Sequence, residues 1–338
     1  MADLRVAVIG ARPPMEGSKP SMGYYHVREF MNAGADVVAI MASDNETRSR
    51  AYVEAINKAL DVNAAPYHDL EQMLKEVKPD AVSICSPTEF HILQVSAALD
   101  SGINVLCEKP MYDKDRNPFS LFRQASEKGL VLTVNTQLVF LVDKYLELYR
   151  RIRGEDPDYR TFEFETITHG KGSGLSIPID LLPHPLSILL KFCPPERIGV
   201  YQIKNPLISE NSSSVELSLY SDYRNINAKI SLGKDSDPKH GLTRFGLDGF
   251  YVARKTGIED GKFVNYLVSA EDPELFKPEP VADPLAVSVS SFCDAVRFMK
   301  GFPLEQKNVG PLITPDEALL NIRLQTEIMN SLQNLYKP

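Results

Sequence analysis

The chain has 338 residues, and at ~150 residues per domain two domains are expected. Hydrophobic residues make up 43% and charged residues 24%, a globular balance that excludes a disordered or collagen-like chain. With 37 Lys plus Arg against 45 Asp plus Glu, a net charge of −8 and a pI near 5.4, there is no overall electrostatic pull toward nucleic acid or an anionic membrane, and small molecules are the expected partners.

Residues 4–10, Leu-Arg-Val-Ala-Val-Ile-Gly, form a β-branched run ending in glycine, the profile of a strand buried on both faces. Similar runs follow at 37–41, 81–85, 105–107 and 130–134, with amphipathic stretches near 22–33, 46–60, 89–100 and 114–128 between them. This alternation predicts right-handed βαβ crossovers and an α/β domain over 1–135, a doubly wound parallel sheet of dinucleotide-binding type. A helix is then expected from about 139 to 153, followed by strands at 161–168, 197–203, 214–220, 226–232 and 262–268, with turn signals at Gly233-Lys-Asp and Glu259-Asp-Gly. Residues 136–338 therefore read as an α+β domain on a large, mostly antiparallel open sheet. A Pro-rich surface linker is expected at 271–284. Helices at about 286–300 and 315–335 follow, the second opened by Thr314-Pro-Asp-Glu.

Cys85, Cys107, Cys193 and Cys293 are far apart, without the spacing of a zinc cluster or a disulfide framework, so no metal and a reducing cytoplasm are expected. The N-terminus runs straight into a strand without a signal-peptide pattern, and no apolar run approaches the ~18 residues of a membrane span.

Chemistry concentrates at a few points. After Gly10 the next helix begins near Met22-Gly23-Tyr-Tyr-His26, so the connecting loop is too long for a G-x-G-x-x-G turn. If 12–20 is an insertion, the remaining frame keeps Gly10 for the turn and Gly23 for close helix packing, with the helix N-terminus open to a pyrophosphate. A long loop in a fold that binds no nucleotide reads equally well. At the end of the second strand, Ser43 can donate a hydrogen bond and Arg48 can pair with a 2′-phosphate, which favours NADP over NAD. Asp44 is the alternative, as a ribose ligand. Glu108-Lys109-Pro110 closes a buried strand where open α/β sheets bind ligands, although a solvated surface pair has the same look. Asp180 and His184, four residues apart, share a face on a helix, while Pro183 and Pro185 make a regular helix there doubtful.

These motifs together resemble the glucose-fructose oxidoreductase / inositol dehydrogenase (Gfo/Idh/MocA) family: Val-Ala-Val-Ile-Gly, Met-Gly-Tyr-Tyr-His, Asp80-Ala-Val-Ser-Ile-Cys-Ser86-Pro87-Thr88-Glu-Phe-His91, Cys-Glu-Lys-Pro-Met, Asp-Leu-Leu-Pro-His-Pro-Leu and Thr-Pro-Asp-Glu-Ala-Leu. The resemblance implies hydride transfer between a nicotinamide cofactor and a sugar, cyclitol or related carbinol. It makes Lys109 the active-site lysine, Asp180 its carboxylate partner and His184 the acid/base. It also lines the cofactor with Ser86, Pro87, Thr88 and His91, places Glu108 near the nicotinamide ribose, and leaves Arg12 and Lys19 either covering the pyrophosphate or held clear of it by the loop prolines. Asn135-Thr-Gln137 and Ser187 depart from the family pattern by removing charge near the substrate, with Gln137 as a substrate contact. That loss keeps an imine or carbonyl reductase open, beside a cofactor-retaining glycosidase and a non-catalytic ligand-binding protein. A homodimer or homotetramer is expected by analogy.

Overall fold

A computed structural model of the chain describes residues 4–16, 18–113, 116, 118–170, 172–194, 198, 200–220, 225–259, 262–269, 278–301 and 313–336. The chain divides into two compact units, Met1–Gln137 with Leu285–Pro315, and Leu138–Pro284 with Asp316–Pro338.

The first unit contains β1 (Arg5–Ile9), α1 (Met22–Asn32), β2 (Asp36–Met41), α2 (Glu46–Leu60), β3 (Ala65–Tyr67), α3 (Leu70–Val77), β4 (Ala81–Ile84), α4 (Thr88–Asp100), β5 (Asn104–Glu108), α5 (Phe119–Glu127) and β6 (Leu132–Asn135). The strands are parallel in the order β3-β2-β1-β4-β5-β6. Every residue of β4, β5 and β6 is buried, as expected of strands covered on both faces. Asn45 and Asp69 cap α2 and α3 by accepting from the N–H groups of Arg48 and Gln72. Neither β3 nor α3 is expected from the apolar runs. The strand is three residues long with a central proline, which a sheet tolerates at an edge, and β3 is an edge strand. The helix expected at 114–128 begins at Phe119, and residues 114, 115 and 117 lie outside the described residues.

The second unit opens with a 3₁₀ turn at Gln137–Leu141 and continues with α6 (Val142–Arg153), β7 (Thr161–His169), α7 (Ser176–Leu181), α8 (Pro183–Phe192), β8 (Val200–Ile208), β9 (Ser212–Tyr220), β10 (Asn225–Asp235), β11 (Leu242–Leu247), β12 (Phe250–Glu259), β13 (Lys262–Ser269) and β14 (Glu279–Val281). The eight strands run β14-β13-β12-β11-β7-β10-β9-β8, and all the pairings are antiparallel except β7 with β10. Along β10, buried Ile226, Ala228 and Ile230 alternate with exposed Asn225, Asn227 and Lys229, the period-2 signature of a sheet with one covered face.

Three further differences follow. The hairpin β11–β12 is additional to the expected strands; it turns on Asp248 (φ 49°) and Gly249 (φ 83°), and Asp248 accepts from the N–H groups of Tyr159, Arg160 and Thr161. The expected linker at 271–284 contains β14, whereas 271–277, like the expected turn residues 260–261, lie outside the described residues.

The third difference concerns α9 (Pro284–Met299), which precedes α10 (Pro315–Gln333). A single cut at 135/136 would place α9 in the second unit. Instead Leu285, Val289, Phe292, Cys293 and Val296 share one buried cluster with Val27 and Phe30 of α1, and Phe30 meets Phe292 edge-on at 6.3 Å between ring centroids. The apolar face of α9 therefore completes the core of the first unit, while α10 belongs to the second.

Candidate active site

At the carboxyl end of β1, Gly10 has φ +86°, and a Cβ there would lie 2.5 Å from the Cys85 carbonyl carbon. A Cβ on Gly23 would lie 2.7 Å from the Ala11 Cα. Backbone thus packs against backbone where β1, β4 and α1 meet, and glycine is required at both positions. The long loop between these glycines is pinched at its base. Ser21 Oγ donates to the Gly10 carbonyl at 2.8 Å and accepts from the Arg12 N–H at 2.7 Å, and the Ser21 N–H returns to the Arg12 carbonyl. Residues 12–20 are therefore an excursion on an otherwise short β1–α1 turn. Ser21, so engaged, gives α1 no side-chain cap, which leaves the first-turn N–H groups without one. Within the excursion the exposed Arg12 guanidinium donates to the Lys19 carbonyl.

Around this turn lie the other expected cofactor residues. Met22 opens α1 and packs against the core. Ser43, just past β2, accepts from the Asn45 N–H, and exposed Arg48 in the first turn of α2 has no ion-pair partner among the described residues. Pro87 and Thr88 start α4. Ser86 Oγ donates to Gln94, and the buried His91 ring spans two carbonyls, Ser86 at 2.8 Å and Pro110 at 3.0 Å. His91 thus braces the loop after β4 against the Lys109–Pro110 step, whose peptide is cis.

Glu108 ends β5 and is buried. Its Oε1 accepts from His26 Nε2 at 2.9 Å and from Asn135 Nδ2 at 2.6 Å; Ser288 Oγ donates to Asn135 Oδ1, and Ser83 Oγ meets His26 Nδ1 at 2.8 Å. Burial by itself would raise the Glu108 pKa, but the His26 bond and charge, Lys109 and Asn135 hold it below the usual range. Asn135, expected near the substrate, is turned inward onto Glu108. Half-buried Lys109 follows directly, and half-buried Gln137 ends the unit.

In the second unit Asp180 lies on α7 and His184 in the first turn of α8, with Leu182 helical between them. As Pro183 and Pro185 imply, no single regular helix runs through this point: α7 ends at Leu181 and α8 starts at Pro183, with both prolines in the first turn of α8, where N–H groups lack helical partners anyway. The break leaves the Ile179 carbonyl, which would otherwise take a bond from residue 183, in need of a donor. Gln325 Nε2 on α10 donates to it at 2.8 Å, and Asn321 Nδ2, one turn earlier, donates to the Pro183 carbonyl at 2.8 Å. Asp180, expected to hold Lys109, forms an ion pair within its own unit with Lys234 of β10 at 2.9 Å. Ser187 Oγ donates to the His184 carbonyl and so also turns inward. Sequence reasoning misses Lys234, Asn321 and Gln325, since their partners are 54 to 146 residues away. The one local signal is a proline that leaves a carbonyl in need of a donor.

Residues 4–136 match the Gfo/Idh/MocA profile, described as an oxidoreductase family with an NAD-binding Rossmann fold. This Rossmann unit belongs to the Gfo/Idh/MocA family. Over 140 residues the chain is 33% identical to D-glucoside 3-dehydrogenase of Escherichia coli (strain K12), covering 41% of this chain and 36% of that one. Over 202 residues it is 26% identical to UDP-N-acetylglucosamine 3-dehydrogenase of Acidithiobacillus ferrooxidans, covering 59% and 58%. The chain thus spans about a third of the length of one of these curated relatives and somewhat over half of the other. A crystal structure of a variant 3-ketoreductase from Actinomadura kijaniata, in complex with TDP-benzene and NADP, has a TM-score of 0.68 at 17% identity over 98% of this chain and 97% of that one, so the fold is shared.

A dinucleotide fits the Gfo/Idh/MocA unit on its own observations. Side chains at Gly10 and Gly23 would fill the turn, the start of α1 lacks a side-chain cap, and buried Thr136 Oγ1, just past β6, has no hydrogen-bond partner among the described residues. No helix among the described residues is long and apolar enough to cross a membrane.

Proposed function

We propose that the chain is an NAD(P)-dependent oxidoreductase acting on a carbinol or ketone carbon of a sugar, cyclitol or related small polar metabolite. The observation that carries this reading is the coexistence of a glycine-built dinucleotide turn with a lysine at the end of β5 and with Asp180 and His184 on the successive helices α7 and α8. When bound, the nicotinamide supplies hydride-transfer chemistry. His184 takes the alcohol proton in oxidation and returns it in reduction, work suited to an imidazole near neutral pH. Lys109 donates to the reacting oxygen and offsets its developing negative charge. Asp180, held by Lys234, offers a carboxylate to substrate hydroxyls and fixes their register. His91 acts from behind, bracing the loops that carry Ser86 and Pro110. Ser43 and Arg48 favour NADP, since a guanidinium without an ion-pair partner suits a 2′-phosphate. We place the protein in the cytoplasm and assign it a homodimeric or homotetrameric state through the face of the second sheet on which Arg244 and Glu165 pair at 2.6 Å.

The test is calorimetric titration with NADPH and NADH, followed by a panel of sugars, cyclitols, ketones and imines monitored by reduced-nicotinamide absorbance. Tight binding of one cofactor with turnover on a polyol or ketose supports the reading. Failure to bind either nicotinamide overturns it.

A further inference from the structure

The polar chain Ser83–His26–Glu108–Asn135–Ser288 joins five elements of the first unit: β4, α1, β5, β6 and α9. All five residues are nearly inaccessible, between 0% and 6% exposed. Packed apolar residues would be at least as stable in such a place, so a fully satisfied buried network there fixes geometry rather than adding stability. The directions are determined. The Glu108 carboxylate can only accept, so the Asn135 amide nitrogen faces it and Ser288 donates to the amide oxygen, and one carboxylate oxygen then receives two donors from different elements. A carboxylate held in this way has no rotational freedom left, and the next residue in the chain is Lys109.

We propose that His26 and Asn135 are positioning residues for the hydride-transfer reaction, locking the Glu108 carboxylate and with it the backbone step that presents Lys109. This rests on the oxidoreductase reading given above. Neither residue touches the reacting atoms; both act through Glu108. The groups around the pair are Ser83 from β4 and Cys85 just past it, Cys107 and Lys109 from β5 and its end, Asn135 from β6 and Ser288 from α9. Burial disfavours charge on the His26 ring, but Cys85 and Glu108 outweigh it and raise its pKa to about 10, so the donor toward Glu108 persists across neutral pH.

The experiment compares His26→Leu, His26→Gln and Ser288→Ala with the wild type. One arm is hydrogen exchange of the cofactor-free protein, and the other is kcat and KM with the best substrate of the panel. Glutamine can still donate to Glu108, whereas leucine cannot. The expected result is faster exchange confined to the peptide around residues 105–112 in His26→Leu, with kcat lowered ~10-fold or more and KM for the nicotinamide cofactor changed less than ~3-fold. His26→Gln should restore both readouts most of the way. A folded His26→Leu protein with wild-type local exchange and kcat overturns the proposal, as does a loss that His26→Gln does not rescue. If His26→Leu does not fold, Ser288→Ala decides: it should raise exchange in the same peptide, and an unchanged peptide overturns the proposal. If the wild type turns over nothing on the panel, the oxidoreductase reading fails, while the exchange arm still reports on the lock.

Discussion

At the scale of single residues, the assigned roles make separable demands. His184→Ala removes the acid/base and should lower kcat by ~10²–10⁴-fold with cofactor affinity little changed. Steady-state kinetics with a cofactor titration checks this, and an unchanged kcat takes His184 out of the chemistry. Lys109→Met should be at least as damaging, because an apolar side chain of similar length keeps the packing and removes the donor. Arg48→Leu should weaken NADPH binding by ~10–100-fold, the worth of a charged hydrogen bond, and leave NADH nearly unaffected; equal losses for both would show that the guanidinium does not read the 2′-phosphate. The His26–Glu108 pair also sets a pH dependence of stability. The His26 pKa rises from 6.5 to about 10 on folding, so its contribution is complete below 6.5 and disappears as the pH climbs to about 10. Glu108 is shifted down from 4.5, so its contribution is lost only as the pH falls below that value. The excess thermal stability of the wild type over His26→Gln should therefore be greatest between those limits and shrink toward pH ~10. A difference that grows with alkaline pH would mean that the buried ring is neutral.

At the scale of elements, α7, α8 and α10 form the mount for Asp180 and His184. Gln325→Leu strands the Ile179 carbonyl in a buried place, which costs about 1–3 kcal/mol. Calorimetry should record a lower Tm, and kcat should fall with it; a stable variant with wild-type kcat would show that the carbonyl finds another donor. The same elements show what is legible in a sequence. The buried strands β1, β2, β4, β5 and β6 are apolar runs, and the glycine frame around 12–20 follows from Gly10, Gly23 and the length between them. The strand β3 escapes because three residues with a proline carry no periodicity. The hairpin β11–β12 escapes although Asp248-Gly249 is a strong turn pair, because Thr243, Arg244 and Gly246 break the alternation around it. The spacing of Asp180 and His184 puts them on neighbouring turns, but Lys234, Asn321 and Gln325 are brought to this segment only by the sheet and by α10. Asn135 looked substrate-facing because its place in the chain says nothing of which way an amide turns.

At the scale of the whole molecule, a protein of net charge −8 that takes an anionic dinucleotide, as proposed, needs positive potential at one place, and in the proposed site Arg12, Lys19, Arg48, Lys109 and the open start of α1 would supply it. The proposed association uses the sheet face that carries Arg244 and Glu165, and a monomer in sedimentation equilibrium would overturn it. The return of α9 to the first unit has a consequence in time. The ribosome makes the Rossmann strands first, yet Val289, Phe292 and Val296, which close the core against Val27 and Phe30, are added about 150 residues later, a delay of roughly 8–30 s at ~5–20 residues/s. Until then the nascent first half carries an apolar face with nothing on it, and Asn135 lacks Ser288. A fragment ending at Gln137 should express as an aggregating or chaperone-bound species, and supplying 284–301 as a separate peptide should recover soluble material. A monodisperse, cooperatively melting fragment would show that the first half can close its core without the last-made helix.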